Sequence, residues 1–235
     1  PPTARVSAPP GPQFTDRASA QAYHDDIRRR LAALPGVVAV GAISQLPLTG
    51  QGPLQPYAYD AETARNWERL SADSFAITPG YFAAVRATLL GGRDLTSDEI
   101  ASGRRVIVID DSLAARAFGG ADTAIGRLLQ LEPEAQAESF FEVVGVVAHM
   151  RYHDLRRQQL PQIYHGGLFR TFSVAVRSES NAEALADAVR SVIAGGPSVT
   201  KAGTAIQDVR MLGAIVDDAL GPMRVAVWLM TGFGV

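Results

Sequence analysis

The sequence predicts an α+β fold: two β-α-β halves forming one ferredoxin-like layer, with a second α+β subdomain inserted between them. Three observations carry this. A strand–helix–strand pattern with a Pro-Gly stop opens the chain. The same layout returns near its end, where Phe172–Arg177, a helix after Asn181 and Val199–Ala202 follow one another. Between them, Pro47–Pro56 is rich in Pro and Gly and reads as a boundary. Two β-α-β units in one sheet are the split arrangement of ferredoxin-like folds. The expected divisions are therefore 1–46 for the first half, 47–166 for the insertion, 167–221 for the second half and 222–235 for an apolar tail.

The elements follow in order. Ala4–Ala8 alternates weakly, as a strand does, and Pro9-Pro10-Gly11-Pro12 is a loop. Asp16–Leu34 reads as a helix, because Ala20, Tyr23, Ile27, Leu31 and Leu34 recur at spacings of three and four and make one apolar stripe. Thr15 or Asp16 can cap it, and Arg28-Arg29-Arg30 suit the negative end of its dipole. Such a charge run is ordinarily a solvated face. Pro35-Gly36 stops the helix and Val37–Ser44 is a strand. Asn66–Thr78 holds a strand or strand pair anchored by Trp67 and Leu70. Pro79-Gly80 punctuates it, and a short helix carries Tyr81, Phe82 and Val85. Gly91-Gly92 breaks the chain after Leu89-Leu90. Arg93-Asp94 and Thr96-Ser97-Asp98 read as a solvated turn.

Val106–Ile109 is a buried strand, apolar and β-branched throughout. Asp110-Asp111-Ser112 starts a helix through Phe118, with Leu113, Ala114, Ala117 and Phe118 inward, and Gly119-Gly120 ends it. Ile125–Leu131 and Phe140–Ala148 are strands joined by the acidic loop Glu132–Glu138. His149–Gln159 is a polar, basic connection, and Pro161–Gly166 brings the chain back. In the second half, Leu185, Val189, Val192 and Ile193 face inward from a helix that Gly195-Gly196-Pro197 stops. Thr204 to Gln207 has capping-box spacing, so a final helix with Ile206, Val209, Leu212, Val216 and Leu220 on one face is expected.

Composition excludes several classes. The 235 residues carry 22 Lys+Arg against 24 Asp+Glu, so the chain lacks the charge excess of a nucleic-acid binder. There is no cysteine, which removes thiolate catalysis, disulfides and cysteine-ligated zinc. Pro1-Pro2-Thr3 lacks the basic segment and apolar run of a signal peptide. Met223–Val235 is almost entirely apolar but shorter than the roughly 20 residues of a bilayer span. It is either a buried C-terminal element or the first turns of a membrane helix. Gly221-Pro222, which sets it apart from the domain, favours the second.

No chemistry-bearing constellation emerges. Asp110-Asp111 after an apolar strand is what a nucleotide hydrolase shows, but its phosphate loop G-x-x-x-x-G-K-[ST] is absent, so the pair reads as a helix cap. Gly91-Gly92 lacks the G-x-G-x-x-G of a phosphate cradle. His149 and His153, with His165 as a third nitrogen, have metal-like spacing, but Arg151, Arg156 and Arg157 repel a cation. His24 stands apart. No G-x-S-x-G occurs. Catalytic, cofactor-binding and metal residues are all read as none.

Several blocks in order resemble one family: Thr78–Glu99 (TPGYFAAVRATLLGGRDLTSDE), Val106–Phe118, Ile125–Leu131, Phe141–Leu155 and Pro161–Gly166, with Ala33–Val37 (ALPGV) upstream. The chain resembles the periplasmic core domain of MacB-type ABC transporter permeases of the FtsX-like group, and most of all the branch with duplicated permease units. The resemblance implies an extracytoplasmic domain between the first and second transmembrane helices of an inner-membrane protein. That domain has a porter-like part of two β-α-β halves and an inserted part, and no catalytic residues or cofactor. It implies as partners the permease's own transmembrane helices, a cytoplasmic ABC ATPase, and a periplasmic adaptor or lipoprotein, with a homodimer as the oligomer it allows. Asp110 stands where the family often has Asn, and the His149–Arg157 connection is unusually basic. A free-standing periplasmic ligand-binding domain, with Met223–Val235 as core, is the alternative.

Overall fold

Two helices and four strands assemble the ends of the chain into one layer pair. The computed structural model describes residues 2–7, 17–46, 53–66, 70–131, 139–151, 159–167, 171–179, 182–194 and 205–211. Strands β1 (Pro2–Ser7), β2 (Val37–Ile43), β10 (Thr171–Ser178) and β11 (Ala205–Met211) run in the order β11-β1-β10-β2 through antiparallel ladders. Helix α1 (Arg17–Ala32) joins β1 to β2, and α7 (Ala182–Ala194) follows β10. The stripe predicted for α1 buries Tyr23, Ile27 and Leu31, and α7 adds Leu185 and Val189. Both helices cover one sheet face, against Val40, Ala42, Phe172, Val174 and Val176. The arginine run is a solvated face as expected, with Arg29 and Arg30 both bridging to Asp26.

The last of these strands corrects an expectation. Ala205–Met211 is not a helix: it pairs with β1 from Met211↔Pro2 to Ala205↔Ser7. The register slips between Arg5 and Val6, so Gln207 is an extra residue. A strand with one extra residue can carry apolar positions three apart, such as Ile206 and Val209, which in sequence mimic a helix. A capping box is a local preference of about 1 kcal/mol, and a full ladder along β1 overrides it. Val199–Ala202, Trp67, the Glu132–Glu138 loop and Met223–Val235 lie outside the described residues. Among the described residues no helix is long and apolar enough to cross a membrane.

The middle of the chain curls into a closed circuit. Its strands are β3 (Leu54–Ala58), β4 (Ser71–Ile77), β6 (Val106–Asp110), β7 (Leu128–Leu131), β8 (Phe140–Val147) and β9 (Gln162–Gly166). They pair in the order β4-β3-β7-β8-β6-β9, and β9 returns to β4 in a parallel ladder. Strand β5 (Leu89–Gly92) joins β8 where β7 ends. The inside of this small barrel holds Tyr57, Ala72, Ile107, Ile109, Leu129, Val143, Val146 and Ile163. Helices α5 (Asp111–Phe118) and α6 (Ala121–Ala124) add Leu113, Ala114 and Ala124 to that core. Val106–Ile109 is buried on both faces, as its unbroken apolar run predicts: Ile107 and Ile109 point inward, Val106 and Val108 outward.

Two local readings change here. The end of the Pro/Gly-rich segment is strand, because β3 begins at Leu54 and pairs with both β4 and β7. The segment after Gly92 is not a solvated turn but helix α4 (Ser97–Ser102), capped by Thr96 and burying Glu99 and Ile100. Helix α2 (Ala61–Arg65), a single turn with a capping box between Asp60 and Thr63, has no buried residue and left no apolar pattern to read.

Barrel and open sheet are joined by the pairing of β2 with β4 and by the helix that follows β4. Strands β2 and β4 share a single register pair, Ile43↔Ile77. Beyond it, the Ala42 N–H donates to Thr78 Oγ1 (2.8 Å) and the Thr78 N–H donates to the Ala42 carbonyl (2.9 Å). The Ser44 N–H donates to the Ala76 carbonyl, and Ser44 Oγ accepts from the Ala76 N–H. Gly80, at φ 86°, then turns the chain into α3 (Tyr81–Val85). Tyr81, Phe82 and Ala84 from α3 join Ile43 and Ala175 of the open sheet in a core shared with Phe75, Val108, Val144 and Tyr164 of the barrel wall. The contact is so close that a Cβ on Gly41 would lie 2.3 Å from the Tyr81 Cα and N. Gly41→Ala is therefore expected to cost about 1–3 kcal/mol, the range for overpacking a filled core, read as a lower denaturation midpoint in urea at unchanged slope.

Candidate functional site

Polar groups of different elements converge at the corner between β6 and α5. Asp110 ends β6 and caps α5. Its Oδ1 accepts from the Leu113 N–H (2.9 Å) and its Oδ2 from the Ser112 hydroxyl (2.6 Å). The carboxylate is fully buried. The cap is the role the sequence predicts, but the same Oδ2 also takes His149 Nδ1 at 2.5 Å. The His149 N–H donates to Asp111 Oδ1 (2.9 Å), so the end of β8 is fixed to this corner twice. The Asp110 hydrogen bond holds the His149 pKa above its ordinary 6.5, against burial, which pushes it down.

Ser112, Asp110 and His149 contain the residue types of a hydrolase triad but not its connectivity. The Ser112 hydroxyl donates to the carboxylate, and the imidazole uses Nδ1 for the same oxygen. A nucleophile needs its hydroxyl on the base, with the carboxylate on the base's far side. The cluster therefore fastens chain segments together. Immediately downstream the Met150 N–H donates to Gln162 Oε1 (3.0 Å), the Gln162 amide donates to the Met150 carbonyl, and the Tyr164 hydroxyl donates to Gln162 Oε1 (2.9 Å).

The histidines weighed as metal ligands do not gather. His149 sits at the β6–α5 corner. His165 lies toward the other end of β6, opposite Ile107, with its pKa lowered by burial. His24 packs against Phe172 at 4.5 Å in the helix-covered core, and His153 lies outside the described residues. Among the described residues no group of three His, Cys, Asp or Glu is placed to hold a metal ion.

A second polar cluster surrounds α4. The Arg93 guanidinium donates to both Glu99 carboxylate oxygens (2.6 and 2.8 Å), and Glu99 also accepts from the Thr96 N–H (3.1 Å) and hydroxyl (3.0 Å). These bonds, Arg93 first, pull the Glu99 pKa down to about 2 although burial opposes them. Arg104 bridges Glu142 at 3.1 Å and Glu99 at 3.6 Å. Asp94 accepts from the Gly80 and Leu95 N–H groups, and burial raises its pKa. The cluster edges a cleft of about 460 Å3, whose lining also includes Leu95, Ile100, Arg105 and His165. Sequence reasoning placed Arg93 and Asp94 in a solvated turn. The Thr96-x-x-Glu99 spacing, a capping box, was the available signal for α4.

A carboxyl group with a lowered pKa stabilises the fold above its unfolded value, 4.5, and loses that contribution as pH falls through about 2. Glu99→Gln is thus expected to cost about 1.5–3 kcal/mol at neutral pH, the usual worth of hydrogen bonds to a charged group. The deficit should narrow between pH 4.5 and about 2, measured by chemical denaturation across that range.

Residues 3–192 match the family described as MacB-like periplasmic core domain. Among solved structures, the chain is similar to the extracellular domain of the noncanonic ABC-type transporter YknZ from Gram-positive bacteria. Identity is 18%, coverage 88% of this chain and 100% of that one, and the TM-score 0.48. It is also similar to the periplasmic region of MacB from Actinobacillus actinomycetemcomitans, with 18% identity, 88% coverage of each chain and a TM-score of 0.48. A domain of a putative permease protein from Porphyromonas gingivalis matches at 14% identity, over 87% of this chain and 84% of that one, with a TM-score of 0.48. No curated protein matches.

Proposed function

The chain belongs to the family of MacB-like periplasmic core domains of ABC transporter permeases, and from that membership we propose that it is a non-catalytic mechanical module. It takes up the conformational change driven by ATP hydrolysis in a cytoplasmic ABC ATPase and passes it to a substrate or partner outside the cytoplasm. Residues 1–46 and 167–221 form the porter-like part, and 47–166 form the part it carries. Residues 222–235 begin the second transmembrane helix, and a periplasmic adaptor or lipoprotein receives the motion.

The observation that supports this reading is the junction at Ala42 and Thr78. A module that transmits motion must not dissipate it internally. Here α3 is wedged between the open sheet and the barrel wall, and both contribute to one continuous core. Close-packed interiors move as rigid bodies, not as continuously deformable ones. The convergent polar groups are spent on fastening the fold, which fits a module that does no chemistry.

The test uses the full-length permease with its ATPase in nanodiscs. Spin labels replace Val38 on β2 and Leu128 on β7, both exposed side chains. We expect one narrow distance distribution between them, identical without nucleotide and with ATP bound, while distances from either label to the membrane-spanning helices change. A β2–β7 distance that shifts with ATP would contradict rigid transmission. A chain found soluble and unattached to a permease would remove the reading altogether.

A further inference from the structure

We propose that Asp110 and His149 form a proton-dependent tie that fastens the end of β8 to the start of α5. The tie is tight while the imidazole is charged and looser once it is neutral. The proposal concerns the domain alone and does not depend on the transport reading.

The geometry is that of a charge-assisted bond. The Asp110 carboxylate is fully buried and its other partners, the Leu113 N–H and the Ser112 hydroxyl, are neutral donors. A buried carboxylate with only neutral donors is costly, and a cation in contact with it offsets that cost. His149 Nδ1, at 2.5 Å, is placed to supply the cation. The groups facing the ring favour its charged form. Asp110 and Asp111 face it from the β6–α5 corner, both acidic, and the Gln159 side chain faces it from the chain leading into β9. A neutral imidazole can still donate from Nδ1, so deprotonation does not break the contact. It removes the countercharge and leaves the carboxylate to its neutral donors.

A histidine whose pKa is raised on folding contributes stability in full below its unfolded value, 6.5. That contribution disappears as pH rises through the folded value. What loosens is a corner where two working parts of the barrel meet: α5, which adds Leu113 and Ala114 to its core, and β8, which forms its wall. Met150, the residue after the tie, is held to Gln162, so the same corner also sets the path of the chain as it leaves β8.

The experiment is a pH titration of the histidine-labelled 235-residue chain by NMR, with the His149 signals assigned by their loss in His149→Gln. The expected result is a His149 midpoint above 6.5 that drops in Asp110→Asn. The melting temperature of the wild type should exceed that of His149→Gln by most below pH 6.5, and the gap should shrink as pH rises through the measured midpoint. A midpoint at or below 6.5, or a gap that stays constant across the range, would assign His149 a purely structural role and overturn the proposal. If Asp110→Asn does not fold, the wild-type midpoint and the pH dependence of the gap decide the matter without it.

Discussion

Between Ala42 and Thr78 two hydrogen bonds run in opposite directions, and the residues on either side keep that point out of water. Ile43 and Ile77, the single register pair joining β2 to β4, are both fully buried beside it. Neutral hydrogen bonds contribute only about 1 kcal/mol each, so two of them cannot by themselves hold a barrel to a sheet. Their importance is positional. They fix where β4 ends, so that Gly80 can turn α3 onto the face of β2 and β10 opposite the one that α1 and α7 cover. Gly41 has no side chain at the position where the Tyr81 backbone arrives. Burial of Tyr81 and Phe82 then supplies the larger energy, on the order of 2–3 kcal/mol for each such side chain. Phe82 meets Tyr164 edge-on at 5.1 Å, and Tyr164 stacks on Phe75 at 5.7 Å, which ties α3 to two barrel strands at once.

The charged groups serve the same end. Glu99 and Asp110 are buried and Asp94 is half-buried, and their oxygens accept from backbone N–H groups, from the Thr96 and Ser112 hydroxyls, and from Arg93, Arg104 and His149. Carboxylates used this way act as clips. Asp94 fastens the turn at Gly80, Glu99 fastens α4 to the strand end at Arg93, and Asp110 fastens α5 to β8. The three clips lie along the barrel wall and its connections, where short helices of five to eight residues are too brief to be stable on their own. A module that is pulled on from outside benefits from such fastening, because frayed single-turn helices are the first parts to give way.

The parts of this fold that were legible in the sequence are those in which one residue's neighbours in the chain decide its fate. The stripe of Tyr23, Ile27 and Leu31 specified α1, and the unbroken run Val106–Ile109 specified a strand buried on both faces. The cap at Asp110 was also local, and was read correctly. What stayed hidden depends on residues far apart. The closure of the barrel rests on β9 returning beside β4, where Asp73 pairs with Gln162 and Ile77 with Gly166. The second role of Asp110 depends on an imidazole 39 residues downstream. Strand β11 looked helical because its partner, β1, lies at the opposite end of the chain. β3 was masked by Pro56 and β5 by its glycines, since strand propensity weighs little against a partner ladder. The family resemblance reached further than any of these local rules. Its longest block, Thr78–Glu99, holds the junction, the turn at Gly80, β5 and the capping box of α4.

Sheet and barrel behave as one body only if the Ala42–Thr78 junction does not open on its own. Native-state hydrogen exchange tests this most directly, by comparing the amides of Ala42, Ser44 and Thr78 with those of the β6 and β10 ladders. The junction amides are expected to exchange only through global unfolding, with the same free energy and the same denaturant dependence as the ladder amides. Exchange of Ala42 and Thr78 through a smaller, denaturant-insensitive opening, while β6 and β10 stay protected, would contradict it and make the junction a hinge.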